Sequence, residues 1–237
     1  VKLRDFINIA LRPLGSILRR PGWGDDWQQD IPSILSTDGE WCILDCGANE
    51  GQTLDQMRPI FPRATFHAFE PYPPTFATLQ KNWGNHPNIS LHPLALSHEN
   101  GSAEFFINED SATNSLLSNA AAGNSHPAPQ SSVTVDQKTL DTFTQEHQIK
   151  TIDLLKMDCQ GYELQILKGA SELLAAGRIH LIYSEVLFTP LYRGQAYFDE
   201  LSAFLRGVDY HLLALYDGRR SPQGHLLWSN ALFSRKA

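Results

Sequence analysis

From Trp41 onward the chain alternates short apolar runs with helix-like segments, joined by connections of a few residues. That rhythm points to a parallel sheet with helices on its faces. Cys42-Ile43-Leu44-Asp45-Cys46 is a mostly apolar run ending in Gly47, and Gly51 to Ile60 reads as a helix stopped by Pro59 and Pro62. Ala64 to Glu70 reads as a second strand closed by Pro71, Pro73 to Trp83 as a helix, and Ile89 to Pro93 as a third strand. The alternation then breaks. Gly101 to Ile107 looks like an extra strand, and 15 of the 25 residues from 108 to 132 are Ser, Ala or Asn without periodicity. A stretch of that length inside a compact domain suggests a lid or a surface insertion. Val133 to Val135 is a short strand, Leu140 to Gln148 a helix, and Ile152 to Asp158 a strong strand. A helix over Tyr162 to Leu174, a strand over His180 to Glu185 and a helix over Phe198 to Leu205 follow. The pattern ends in a hairpin of Tyr210 to Tyr216 and Leu226 to Phe233, turning at Asp217-Gly218.

With 237 residues, 42% of them hydrophobic and 19% charged, the chain has enough apolar surface for one large core. No run of about 18 apolar residues exists to cross a bilayer. Three cysteines, Cys42, Cys46 and Cys159, supply neither a disulfide framework nor a metal quartet, and the reading is a reduced, cytoplasmic protein. The net charge is −7, which argues against nucleic acid as a partner. Residues 1–20 run against that balance, with Lys2, Arg4, Arg12, Arg19 and Arg20 opposed only by Asp5. Leu3, Ile7, Leu11, Leu14 and Leu18 share a helical spacing there. Residues 1–40 therefore read as a basic amphipathic arm ahead of a domain over 41–237. The arm suits packing on the domain or on a second subunit of a homodimer, or weak contact with a membrane surface.

Ligands of open α/β sheets lie beyond the carboxyl ends of the strands. The first strand ends in Asp45-Cys46-Gly47-Ala48-Asn49-Glu50-Gly51. Gly47 permits a sharp turn, Gly51 a close approach at the helix start, and Asp45 suits a cationic group better than a diphosphate. Glu70 closes the second strand, beside Phe69 and Pro71, where an acid can accept both hydroxyls of a ribose. Together these residues describe a nucleoside site without a phosphate cradle. Farther on, Lys156 and Asp158 alternate onto one face of their strand. A buried lysine needs a partner, and Glu185 at the end of the next strand is the candidate. Asp158 and Glu185 are two acids, and two acids do not make a metal site. A nicotinamide-dependent oxidoreductase would need a phosphate-binding turn that Gly47 to Gly51 lacks. A non-catalytic nucleoside-binding adapter would have no need of Asp45, Glu70 and Asp158 together.

The segments Asp45 to Gly51, Phe69-Glu70-Pro71, Ala95-Leu96-Ser97, Thr139-Leu140-Asp141 and Asp153 to Glu163, with the tail Asn230-Ala231-Leu232-Phe233, resemble the FkbM family of class I S-adenosylmethionine-dependent methyltransferases. Cys46 and Cys159 stand where aliphatics are usual, and Gln160 where Glu is common. The resemblance implies a Rossmann-like seven-stranded sheet, mostly parallel with an antiparallel last strand. It implies that Gly47, Ala48, Asn49 and Gly51 hold the methionine part of S-adenosylmethionine and that Glu70 binds the ribose. Leu94, Ala95 and the residues up to Ser97 would lie near the adenine, and Asp158 near the sulfonium and the acceptor. It also implies O-methylation of a small molecule, a sugar or natural-product hydroxyl. Asp158 is the first choice to take the hydroxyl proton, with Lys156 and Glu185 beside it and His92 and His126 as weaker candidates.

Overall fold

The computed structural model describes residues 22–120 and 129–235. The basic segment 1–20 and His126 lie outside the described residues. A helix, α1 (Trp27–Ile34), precedes β1 (Cys42–Cys46), α2 (Gln52–Met57), β2 (Thr65–Phe69), α3 (Pro73–Trp83) and β3 (Ile89–His92). Next come β4 (Ala95–Ser97), β5 (Gly101–Ile107), a 3-10 turn over Ser111–Thr113, β6 (Ser131–Thr139) and α4 (Leu140–Glu146). The chain continues through β7 (Ile152–Met157), α5 (Glu163–Lys168), α6 (Ser171–Ala175), β8 (Ile179–Leu187), α7 (Phe198–Arg206), β9 (Tyr210–Arg220) and β10 (Leu226–Arg235).

Seven strands form one sheet in the order β3-β2-β1-β7-β8-β10-β9. The strand order reverses between β1 and β7, which pair in parallel through Ile43–Leu154 to Cys46–Met157. Only the last strand, β10, runs antiparallel to its neighbours, and it is inserted between β8 and β9. The central strands are mostly apolar because both faces are covered, with Asp45 and Lys156 among the buried exceptions. Leu44, Leu155 and Ile182 face one buried cluster with α4 to α7, while Ile43, Leu154 and Leu181 face another. Trp27 and Ile31 of α1 pack into the second cluster, where Asp30 accepts from the Tyr216 hydroxyl at 2.8 Å.

Three expectations need correction. The helix expected over Tyr162 to Leu174 is two helices, α5 and α6, because the chain turns at Gly169, whose carbonyl accepts from Asp141 N at 3.0 Å. The terminal hairpin does not turn at Asp217-Gly218. Its strands run on to Arg220 and from Leu226, and the turn spans Ser221 to Gly224. Asp217, with φ of 55°, sits in a bulge, since the register jumps from Asn230–Tyr216 to Trp228–Arg219. Finally, the short strand expected at Val133 to Val135 is the nine-residue β6, the centre of a second sheet ordered β4-β6-β5. Its polar flanks hid it, because β6 is exposed over much of its length.

Candidate active site

The turn between β1 and α2 is built by close contacts. Gly47 has φ of +77°, and a Cβ there would lie 2.0 Å from the Asp158 carbonyl oxygen, so the turn sits directly on the end of β7. Gly51 serves packing instead of ligand approach: with φ of +107°, its missing Cβ makes room for the Trp83 ring. Ala48 N donates to the Phe69 carbonyl at 2.9 Å, and Asn49 N to Glu70 Oε2 at 3.1 Å. Glu70 Oε1 accepts from Tyr72 N at 2.9 Å. This carboxylate thus ties the β1 turn to the end of β2. Burial pushes the Glu70 pKa up to about 7 against the pull of those two N–H donors.

Under the turn, Asp45 is fully buried, and its Oδ1 lies 3.0 Å from Lys156 Nζ. The partner of Lys156 is therefore Asp45 on the neighbouring strand, not Glu185. Burial opposes the charge on Lys156, but Asp45 and Asp158 outweigh it and hold its pKa above the usual lysine range. Beyond Met157 the chain makes a tight turn in which Gln160 adopts φ of 54° and Gly161 φ of 91°. Glu163 Oε1 accepts from Cys159 N at 2.8 Å and Gly161 N at 3.3 Å, holding the turn from below. Burial raises the Glu163 pKa to about 7.

The Gln160 side chain links three elements. Its Nε2 donates to Asp158 Oδ1 at 2.7 Å and lies 3.4 Å from Glu185 Oε2, while its Oε1 accepts from the Tyr192 hydroxyl at 2.6 Å. Burial first, and then the charge of Asp158, pushes the Glu185 pKa well above the carboxylate range.

A cavity of about 280 Å³ opens where the strand order reverses. Its wall brings together Gly47, Ala48, Asn49, Glu70, Pro71, Leu94, Ala95, Lys156 and Asp158 from the sequence reading. Asp45, Gly51 and Glu185 do not line it: Asp45 lies beneath the turn, Gly51 against Trp83, and Glu185 behind Gln160. His92, at the end of β3, lies away from the wall, stacked on Phe69 and bonded to His67 at 3.1 Å, and burial drives its pKa down to about 3. Among the described residues no group of three or more His, Cys, Asp or Glu is arranged to hold a metal.

Sequence reasoning missed part of the wall. Phe105, from the second sheet, and Tyr162 add aromatic surface. Tyr192 had no signal at all, standing in an irregular segment 32 residues from its partner Gln160. The segment expected to be a lid is fastened across the cavity in its described first part. Ser111, Ala112 and Asn114 line the wall, Ser115 Oγ donates to the Gln160 carbonyl at 2.9 Å, and Asn114 Oδ1 accepts from Asn108 N at 2.8 Å. Among the described residues, the cavity's lining includes one cation, Lys156, and no Arg or His. A wall so short of positive charge is unsuited to a diphosphate and compatible with a cationic ligand.

The methyltransferase FkbM domain model matches residues 45–212, from the end of β1 into β9. This chain belongs to the FkbM methyltransferase family. It is 27% identical over 222 residues to the 2-O-methyltransferase NoeI of Sinorhizobium fredii (strain NBRC 101917 / NGR234), covering 86% of this chain and 90% of that protein. It is 30% identical over 145 residues to Methyltransferase 1 of Beauveria bassiana (strain ARSEF 2860), covering 55% of this chain and 58% of that one. Among solved structures, the METTL16 methyltransferase domain superposes with a TM-score of 0.51 at 11% identity, over 98% of this chain and 78% of that one, a likeness of fold. The cavity of this methyltransferase thus lies at the switch point of a sheet whose architecture is shared with other methyltransferases.

Proposed function

We propose that this methyltransferase takes its methyl group from S-adenosylmethionine and delivers it to a hydroxyl of a small polar molecule, a sugar or a hydroxylated natural product. The donor set fits the nucleoside. Glu70 presents a buried carboxylate whose oxygens each receive a single N–H and keep acceptor capacity for a ribose diol. Leu94, Leu96 and Phe69 offer apolar surface beside it for a base. The observation that carries the reading is this acid on the cavity wall, next to the Gly47 turn, in a lining whose described residues include Lys156 as the one cation. The 2-O-methyltransferase name of a relative matched over most of this chain supports oxygen as the acceptor atom.

When bound, S-adenosylmethionine supplies a carbon already activated by its sulfonium, so the protein chiefly aligns donor and acceptor. Asp158, on the wall and half-buried, accepts the proton that the hydroxyl must lose. The segment Ser111 to Asn114 covers the cavity and limits access of water.

Calorimetry with S-adenosylhomocysteine tests the donor. The protein should bind it and should not bind NADH, and Glu70→Ala should weaken binding by about 10- to 100-fold, the value of a charge-assisted contact. Unchanged affinity in that variant overturns the ribose assignment. A screen of sugars, hydroxylated metabolites and peptides for S-adenosylhomocysteine release tests the acceptor, and release with amines or thiols alone would overturn the hydroxyl assignment.

A further inference from the structure

Two carboxylates, one on the cavity wall and one behind it, share one neutral donor. Asp158 belongs to the turn after β7, and Glu185 to β8, where it is 9% exposed. The Gln160 amide nitrogen reaches both, at 2.7 and 3.4 Å, and its oxygen is engaged by the Tyr192 hydroxyl, so the amide cannot invert without losing these contacts. Other charged groups acting here are Glu163, from α5 below, and Lys156, from β7. Lys156 has its Nζ 3.0 Å from Asp45, and among the described residues its charge is shared by Asp45, Asp158, Glu185 and Glu70. No ion pair is formed by Asp158 or Glu185 among the described residues. Two carboxylates bridged by one amide, one of them buried, disfavour each other's ionisation.

We propose that Asp158 and Glu185 form a coupled acid pair that holds one proton in the free protein and gives it up when a cationic ligand fills the cavity. This rests on the S-adenosylmethionine reading. Asp158 is the member on the wall, and Glu185, behind Gln160, is the proton store. The exchange balances simply: the carboxylic acid loses a proton to the buffer as a positive charge enters, and the pair is left fully ionised. The pair then stands ready to take the proton of an acceptor hydroxyl as the oxygen–carbon bond forms and the carbon–sulfur bond breaks. The sulfonium positive charge disappears in that step, and the proton restores the pair to its resting charge.

The full chain can be titrated at pH 7 with S-adenosylmethionine and, separately, with S-adenosylhomocysteine, in buffers of different ionisation enthalpy. The two ligands share the ribose and differ in the sulfonium charge, and the variants below separate the pair from Glu70 and Glu163, which burial also raises to about 7. Up to one more proton should be released with S-adenosylmethionine than with S-adenosylhomocysteine. In Glu185→Gln the excess should vanish while S-adenosylhomocysteine still binds. Should Glu185→Gln fail to fold, Asp158→Asn, at the half-buried member, should abolish the excess in the same way. Equal proton release for the two ligands in the unaltered protein, or an excess that survives in the variants, overturns the acid pair. Failure of either ligand to bind would overturn the donor reading instead, and with it this proposal.

Discussion

Lys156 is the residue whose charge the site can least do without. Its ammonium is buried beside Asp45 and reaches within 3.5 Å of the Gly47 carbonyl, so it braces the turn from beneath. Asp45 is wholly excluded from solvent, and neither of its oxygens has a further hydrogen-bond partner among the described residues. Removing the lysine leaves an uncompensated buried carboxylate, a change that costs about 3–5 kcal/mol. Lys156→Met should lower the unfolding free energy in urea by about that amount. Asp45→Leu combined with Lys156→Met should recover much of the loss, because the pair is then replaced by apolar volume. A Lys156→Met protein as stable as the parent would show that the ion pair contributes nothing to the fold. Gly47 is equally constrained for a steric reason. Gly47→Ala forces a methyl group into the Asp158 carbonyl at a positive φ, so the turn must open. The expected outcome is loss of S-adenosylhomocysteine binding with the overall secondary structure retained in circular dichroism.

Residues 108–120, after β5, behave as a strap, and their fastenings show why sequence reading stopped short there. Ser115 bonds to Gln160, 45 residues away, and Leu117 N donates back to the same Ser115 hydroxyl at 3.0 Å. Phe106 and Ser115 form a bridge, as do Asn119 and Tyr192. None of these contacts has a local period, so Ser, Ala and Asn composition reads as a loop even where the chain is held in place. The parallel strands were legible for the opposite reason. Their runs are mostly apolar because both faces are buried, and Gly47, Pro71 and Gly161 stand in the turns that follow their ends. Glu70 and Asp158 were legible because chemistry at strand ends has a known place in such sheets. The partner of Lys156 was not, since strand pairing decides it: Asp45 stands directly opposite Lys156 in the β1–β7 register. Ser115→Ala removes one fastening worth about 1–2 kcal/mol. Amide hydrogen exchange over residues 111–117 should then accelerate about 5- to 30-fold while β7 stays protected. Exchange unchanged in that segment would mean that the strap is held by its other contacts alone.

The whole molecule carries two opposing sets of displaced titrations. Glu70 and Glu163 are raised by burial from an ordinary 4.5 to about 7. The folded state therefore binds more protons than the unfolded chain between those values, and the stability these acids contribute is lost as pH rises toward 7. His67 and His92 are lowered by burial from 6.5 to about 4 and about 3. Here the unfolded chain binds more protons, and the stability these rings contribute is lost as pH falls below 6.5. Each group changes the slope by about 1.4 kcal/mol per pH unit where it acts. Glu185 is displaced upward as well, so three acids act against two imidazoles, and the parent should lose stability by about one group's slope as pH rises between about 4.5 and 6.5. Single variants separate the two sets. Glu163→Gln removes a group that favours low pH, so its stability should rise with pH, relative to the parent, across that window. His92→Phe keeps the ring stack on Phe69 and removes a group that favours high pH, so its relative stability should fall with pH over the same range. Urea unfolding of the ligand-free protein and both variants at several pH values gives the three curves. Divergence in opposite directions supports the account, and parallel curves would show that burial does not displace these titrations.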